Sequence, residues 1–308
     1  MMMKKATLLK IKRTKTINPI TLYIFLLVSI LSSCKEEPPL VFFNLYSGSD
    51  STYITNNVPA AQYRNSLLED YTGVRCANCP DAHVAAVGLA ASHNGRMNIL
   101  SMHPLGNALT RPYNTIAGFQ DFQLREAADL LSIFGTNKNL PSIGLDRVLN
   151  KTKNLLITNS VNDWSSTLDA QLINNQTSPL NIDIDNVLIA NNDSLKLTCY
   201  ITATQPLSDS VYLTLIILED SIVNPQDNNG DIDTFYVHDN LARIFVTSQY
   251  GTYLKTNWIS GRVYRKQIAV HLNKSWNINN CKVLAFVHRS VNTAGNSEIW
   301  HSQTKKIK

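Results

Sequence analysis

Ser66-Leu67-Leu68-Glu69-Asp70-Tyr71-Thr72-Gly73-Val74-Arg75-Cys76-Ala77-Asn78-Cys79-Pro80-Asp81-Ala82-His83 is the stretch on which the fold reading turns. Ser66 to Tyr71 reads as a strand and Thr72-Gly73 as a loop. Pro80 suits the first turn of a helix, where its missing N–H is not needed. Val84, Val87, Leu89 and Ala91 carry that helix to Asn94-Gly95. The order is strand, loop, Cys-x-x-Cys, helix. A thiolate at a helix N-terminus meets the macrodipole and free backbone N–H groups, which lower its pKa from about 8.5 toward 7 or below. Arg75 is a second source of positive charge. In that setting Cys76 attacks a substrate disulfide, and Cys79, one turn along, resolves the mixed disulfide. The same spacing also serves a permanently oxidised structural clip, or zinc. Zinc needs about four ligands, and the chain offers no second Cys-x-x-Cys, only scattered His83, His93 and His103 nearby.

Working outward, Met97 to Met102 reads as a second strand and Asp121 to about Ile133 as a helix. Leu140-Pro141-Ser142-Ile143-Gly144-Leu145 reads as a third strand with a proline at its mouth, and Trp164, Leu168 and Leu172 mark an amphipathic helix. Alternating strands and helices predict a small α/β domain over residues 56–177. After Ser178-Pro179 the texture changes to period-two runs: Leu180-Ile182-Ile184, Leu195-Leu197-Cys199-Ile201, Tyr212 to Leu218, Val263 to Leu272 and Cys281 to Val287. That alternation, broken by Asn/Asp/Ser/Gly loops, predicts an all-β immunoglobulin-like sandwich over residues 178–308.

The first forty residues carry an address. Six basic residues (Lys4, Lys5, Lys10, Lys12, Arg13, Lys15) precede the mostly apolar Ile20 to Leu31, then Leu31-Ser32-Ser33-Cys34. That is the layout of a secretory signal. Twelve residues of helix rise about 18 Å against a hydrocarbon core of about 30 Å, too short for a permanent span. Small residues directly before a cysteine resemble the bacterial lipobox, which implies cleavage after residue 33, acylation of Cys34 and anchoring in a membrane by lipid. Lys35-Glu36-Glu37-Pro38-Pro39 resembles the acidic tether of outer-membrane lipoproteins, and residues 34–55 are read as that tether.

Removing residues 1–33 changes the charge. All six ionised side chains of the leader are basic, so of 28 Lys and Arg only 22 remain, against 23 Asp and Glu. A chain near neutrality has no basic footprint for nucleic acid, and no cofactor motif is read. With Cys34 given to lipid, four cysteines are left for an oxidising compartment, which suggests the pairs Cys76–Cys79 and Cys199–Cys281. Two buried free thiols at 199 and 281 are the alternative to the second bridge.

Leu68 to His83 resembles the signature of the Omp28-related outer-membrane lipoprotein family. Members of that family are similar to thioredoxins in their N-terminal half. The resemblance implies Cys76 and Cys79 as a redox pair, Asp70 as a buried acid that takes a proton from Cys79, and Pro141 as a cis-proline facing the disulfide. Tyr236-Val237-His238-Asp239-Asn240 and Ala285-Phe286-Val287-His288-Arg289 add to it. The chain departs from the thioredoxin pattern in having no tryptophan before Cys76, Ala-Asn between the cysteines, and extra length between Cys79 and Pro141, read as an insertion around His103 to Asp121. Two functions follow as expectations: an envelope thiol–disulfide oxidoreductase acting on exported proteins, or a surface binding or adhesion protein whose 76–79 bridge is a staple. The alternating Asp227, Asn229, Asp231 and Asp233 have Gly230 misplaced for a calcium loop and read as a hydrophilic hairpin.

Overall fold

The computed structural model describes residues 50–308 apart from 115, 117–118, 136–138, 151–154, 159, 175, 190–192 and 292–295. The signal at 1–33, Cys34 and the apolar Val41-Phe42-Phe43 lie outside the described residues.

Within the stretch read as tether, Ser51–Ile54 forms strand β1. The next elements are β2 (Ser66–Tyr71), helix α1 (Cys79–Ser92), β3 (Met97–Pro104), β4 (Gln123–Leu124), α2 (Arg125–Phe134), β5 (Ser142–Leu145), β6 (Ile157–Thr158) and α3 (Val161–Asn174). Pro80 sits in the first turn of α1, and the helix ends where Asn94 and Gly95 turn left-handed, φ 55° and 71°. The second half is strand apart from one 3-10 turn at Ile278–Asn280: β7 (Leu180–Ile189), β8 (Ser194–Ala203), β9 (Tyr212–Glu219), β10 (Ile222–Val223), β11 (Gln226–Asn228), β12 (Asp231–Asp233), β13 (Val237–His238), β14 (Leu241–Phe245), β15 (Thr252–Tyr253), β16 (Arg262–His271), β17 (Cys281–His288) and β18 (Ile299–Lys306).

These strands overturn the expected fold class, a thioredoxin-like α/β domain followed by an immunoglobulin-like sandwich. The protein is mostly β, and strands of both halves share one ten-stranded sheet, ordered β18-β17-β9-β14-β3-β2-β5-β6, with β15 on β9 and β4 on β3. The junction is β14 lying parallel to β3, where Leu241 faces Ser101 and Ser101 N–H donates to Asn240 O at 2.9 Å. The described residues belong to one compact unit. A second sheet, β1-β16-β8-β7, has four strands.

Strand alternation assigns each face of the large sheet its cover. Leu67, Tyr71, Leu100, Met102, Ile216 and Phe286 point to one face and pack with Leu130 and Phe134 of α2. On the opposite face the cover is divided. Leu68, Ile99, Ile143 and Leu145 pack under Ala86 of α1 and Trp164 and Leu168 of α3. Leu213, Leu215, Ile217, Val283 and Ala285 pack against Ile182, Leu197 and Ile201 of the four-stranded sheet.

A seam of buried charge runs through the first half of the large sheet. Arg147 grips Glu69 with two nitrogens, at 2.7 and 3.0 Å, and Arg64 meets Asp146 at 3.1 Å. Arg64 also donates to Ile299 O at 2.6 Å, and the Arg147 guanidinium lies 5.3 Å from the Phe286 ring centre, which ties β17 and β18 to β2. The expected Cys199–Cys281 bridge does not form: both thiols are free and buried. Cys199 lies on β8 and Cys281 opens β17, in different sheets, and each packs into the shared core as a small apolar group. Burial pushes both thiols up, Cys281 to about 12.

Candidate functional site

Cys76 and Cys79 are joined in a disulfide, Cα to Cα 5.3 Å. The loop that carries them leaves β2 with Thr72 N–H donating to Met102 O at 2.9 Å, then tightens as Cys76 N–H reaches Gly73 O at 3.0 Å and Cys79 N–H reaches Cys76 O at 3.1 Å. Glycine at 73 is set by crowding, since a Cβ there would stand 2.5 Å from the Leu109 carbonyl oxygen. Arg75 does not act as a free charge beside the sulfurs. Its guanidinium donates to Arg111 O and Pro112 O, both at 2.8 Å, and stacks 4.1 Å from the Tyr113 ring centre.

A strand from the other half of the chain covers the loop. Asp227 N–H donates to Val74 O at 2.7 Å and Asn229 N–H to Ala77 O at 3.0 Å, while the buried Gln226 amide donates to Gly73 O at 3.1 Å and Cys76 O at 3.2 Å. Four loop carbonyls are thus taken by residues 226–229. The cover is the β11–β12 hairpin, turned by Asn229-Gly230 with φ 57° and 96°, the Asn-Gly geometry favoured in tight hairpins. Its carboxylates cap the turn, Asp227 Oδ1 accepting from Gly230 N–H at 2.9 Å. Beneath it the two cysteines are each only 2% exposed. Among the described residues no three His, Cys, Asp or Glu groups are placed to hold a metal ion, and the bridged sulfurs are not available as ligands.

Behind Cys79 lies a cavity of about 20 Å³, on a scale where one water needs about 10–15 Å³. Asp70, Ser101, His103, His83, Tyr236 and Cys79 line it. Asp70 is 1% exposed and neither oxygen makes a hydrogen bond of normal geometry, the nearest charged group being His83 Nδ1 at 3.9 Å. Burial raises the Asp70 carboxyl, against the lowering pull of His83. For His83, burial opposes charge, yet the neighbouring Asp70 and Asp239 outweigh it and raise its pKa. Ser101 Oγ and His103 Nδ1 are likewise buried without partners. Burial and the nearby His238 hold His103 neutral, and burial holds His238 at about 4 although its Nε2 lies 3.1 Å from Asn224 O. Burial and the surrounding carboxylates, Asp70 first, push Tyr236 up to about 12.

Of the residues singled out in the sequence, Cys76, Cys79, Asp70 and His83 converge here, and His103 joins them from the end of β3. The Leu140–Pro141 bond is cis and immediately precedes β5, whose Ser142 pairs with Tyr71. Gln226 carried no local signal, and Tyr236 was marked only as part of the segment 236–240 that adds to the family resemblance. They stand about 150 residues from the cysteines, and only the β14–β3 pairing brings them near.

The sequence profile described as "Outer membrane protein Omp28" matches residues 130–307. No protein of curated function is detectably similar in sequence. HBP35 of Porphyromonas gingivalis has a similar fold, TM-score 0.62 at 17% identity, over 80% of this chain and 76% of that one. Looser likenesses reach an Agrobacterium tumefaciens protein (TM-score 0.47, 12% identity, 80% of this chain and 95% of that one) and a domain of the outer-membrane lipoprotein Omp28 of P. gingivalis (0.30, 16%, 42% and 89%). The profile covers more than half of the sequence and takes in strands of both sheets, β5 to β18, so the chain belongs to the Omp28 family of outer-membrane proteins.

Proposed function

We propose that this Omp28-family outer-membrane protein is a binding protein, held to the membrane through an acylated Cys34, in which the Cys76–Cys79 bridge is a staple. The observation that carries the proposal is the burial of both cysteines, 2% each, under a strand that occupies four carbonyls of their loop. Thiol–disulfide exchange requires a thiolate to reach a sulfur directly, and here the hairpin would have to lift first. No helix among the described residues is long and apolar enough to cross a membrane, and anchoring is assigned to the lipid on Cys34. Replacement Cys34→Ser is expected to leave an uncleaved, unacylated precursor, read by intact mass and by incorporation of labelled palmitate; normal processing of the variant would remove the anchor from the proposal.

One observation favours exchange instead: Asp70, an acid raised by burial, shares a water-sized cavity with Cys79. In that reading the Cys76 thiolate attacks the disulfide of an exported protein, Asp70 accepts the Cys79 proton, and Cys79 closes the bridge as the substrate leaves as a dithiol. Equilibrating the mature chain with glutathione buffers, trapping thiols and weighing the products decides between the two. A staple is expected below about −300 mV, or to resist trapping; a potential between about −270 and −120 mV would replace the binding reading with exchange.

A further inference from the structure

We infer that the face around the cavity mouth, formed by the outer side of α1 and residues 222–239, docks an extended polypeptide segment in which lysine or arginine alternates with apolar side chains. The inference rests on the binding reading above and names the partner class for that same site.

Helix α1 is apolar nearly all round, a composition that normally means burial on all sides, yet Val84 is 69% exposed and Val87 stands exposed one turn further on. Across the cavity Phe235 is 80% exposed, with Ile232 and Val237 exposed on either side of it. The two apolar sets are neighbours. Tyr236, between Phe235 and Val237, turns inward to line the cavity beside Pro80 and His83 of α1, and its titration feels Asp81.

Charge selects the partner. From Asp220 to Ala242 the chain has five aspartates and no lysine or arginine. Several surface carboxylates elsewhere find cations, Asp50 with Lys266, Asp185 with Lys305 and Asp209 with Arg289, and at the edge of this stretch Asp220 pairs with Lys282, all within 3.4 Å. On this face Asp81, Asp227, Asp231, Asp233 and Asp239 have no Lys or Arg within 4.0 Å among the described residues. At its centre the buried Asp70 carboxyl, whose oxygens make no hydrogen bond of normal geometry and whose nearest charged neighbour is His83 Nδ1 at 3.9 Å, lines a cavity the size of one water, which is also about the size of an ammonium group. A partner that brings cations to the unpaired aspartates and apolar groups to Val84 and Phe235 satisfies both halves of the surface, whereas an anionic membrane would be repelled.

The test is fluorescence anisotropy of a labelled nine-residue peptide alternating Lys with Val and Phe, against the same peptide with Glu for Lys, using the mature chain. Binding of the basic peptide at least tenfold tighter than the acidic one, weakening in 0.5 M salt, is expected. Phe235→Ser and the combined Asp231→Asn/Asp233→Asn/Asp239→Asn variant should each weaken it at least fivefold, while Asp185→Asn, on β7, should not. Thermal melts check that the variants fold; Asp231 and Phe235 are exposed, whereas Asp233 and Asp239 are half-buried and accept from Phe235 N–H and Ser221 N–H, which an asparagine Oδ1 can still do. Equal binding of both peptides, binding indifferent to these variants, or preferential capture by phosphatidylglycerol vesicles would overturn the inference. The two proposals fail separately. A potential in the exchange range with basic-peptide binding intact would keep this surface as a substrate site, and a bridge too stable to exchange together with no peptide binding would keep the staple and discard the surface.

Discussion

Two groups of buried polar residues sit on the same strands and are treated in opposite ways. In the seam, each ion has a counter-ion: Arg147 on Glu69, Arg64 on Asp146. In the cavity, one strand position along from Glu69, Asp70 has no hydrogen bond, and Ser101 Oγ and His103 Nδ1 are equally unpartnered. Adjacent residues of β2 point to opposite faces, so Glu69 and Asp70 enter different surroundings. An unpaired buried polar group costs on the order of 1–3 kcal/mol; the seam carries some too, at Arg64 Nε and Arg147 Nη1, but its carboxylates are met by guanidinium groups and Asp70 is not. The contrast separates what holds the molecule together from what it holds open for a partner.

The largest expected effect comes from breaking the seam. Arg147→Met strands Glu69 without its cation and should cost about 3–5 kcal/mol in denaturant unfolding, while the double change Arg147→Met/Glu69→Leu should recover most of it. A single variant as stable as the parent would show that the seam is not a brace.

Acid should come next. His301 accepts from Asn65 N–H at 3.0 Å on the seam side, and burial holds it at about 3; His238, in the cavity, is held at about 4. Between those values and the ordinary 6.5 the unfolded chain binds more protons than the folded one. Stability is therefore fully present above pH 6.5 and is lost as pH falls, by up to about 1.4 kcal/mol per pH unit for each histidine. Asp70 and Asp146, raised by burial, act in the opposite sense, favouring the fold as pH falls through their range. Denaturation midpoints at pH 7, 5.5 and 4.5 test the balance, and a profile rising toward acid would mean that the carboxyls dominate.

Replacing the bridge, Cys76→Ser/Cys79→Ser, should cost about 2 kcal/mol, the chain-entropy value for a loop of about four residues. The smallest effect sharpens the comparison most. Asp70→Asn, one position from Glu69, should leave stability at pH 7 unchanged or raise it by about 1 kcal/mol, because it removes a buried acid that no Lys or Arg meets and that only His83, at 3.9 Å, offsets. A loss on the scale of Arg147→Met would make Asp70 part of the brace.

Much of the local structure was legible. Period-two runs put β7, β8, β9, β16 and β17 where they lie, and Pro80 with Asn94-Gly95 bounds α1. The Cys-x-x-Cys spacing allowed a bridge between its own two residues, and one formed. The Cys199–Cys281 pairing failed because facing a common core does not bring two sulfurs together across two sheets. The expected fold class failed for a related reason: strand alternation assigns faces and leaves neighbours open, so nothing near Leu241 announced that β14 would lie on β3 and merge the two halves.

What the sequence determined by itself is therefore what depends on near neighbours: the strands and helices and the turn at Asn229-Gly230. The tertiary structure alone decided which aspartates are paired, that Cys199 and Cys281 stay apart, and that Gln226 and Tyr236 close over a loop about 150 residues away. Contacts at that separation are chosen by the packing of whole sheets, whose faces carry many interchangeable apolar residues, so no single spacing in the chain records them.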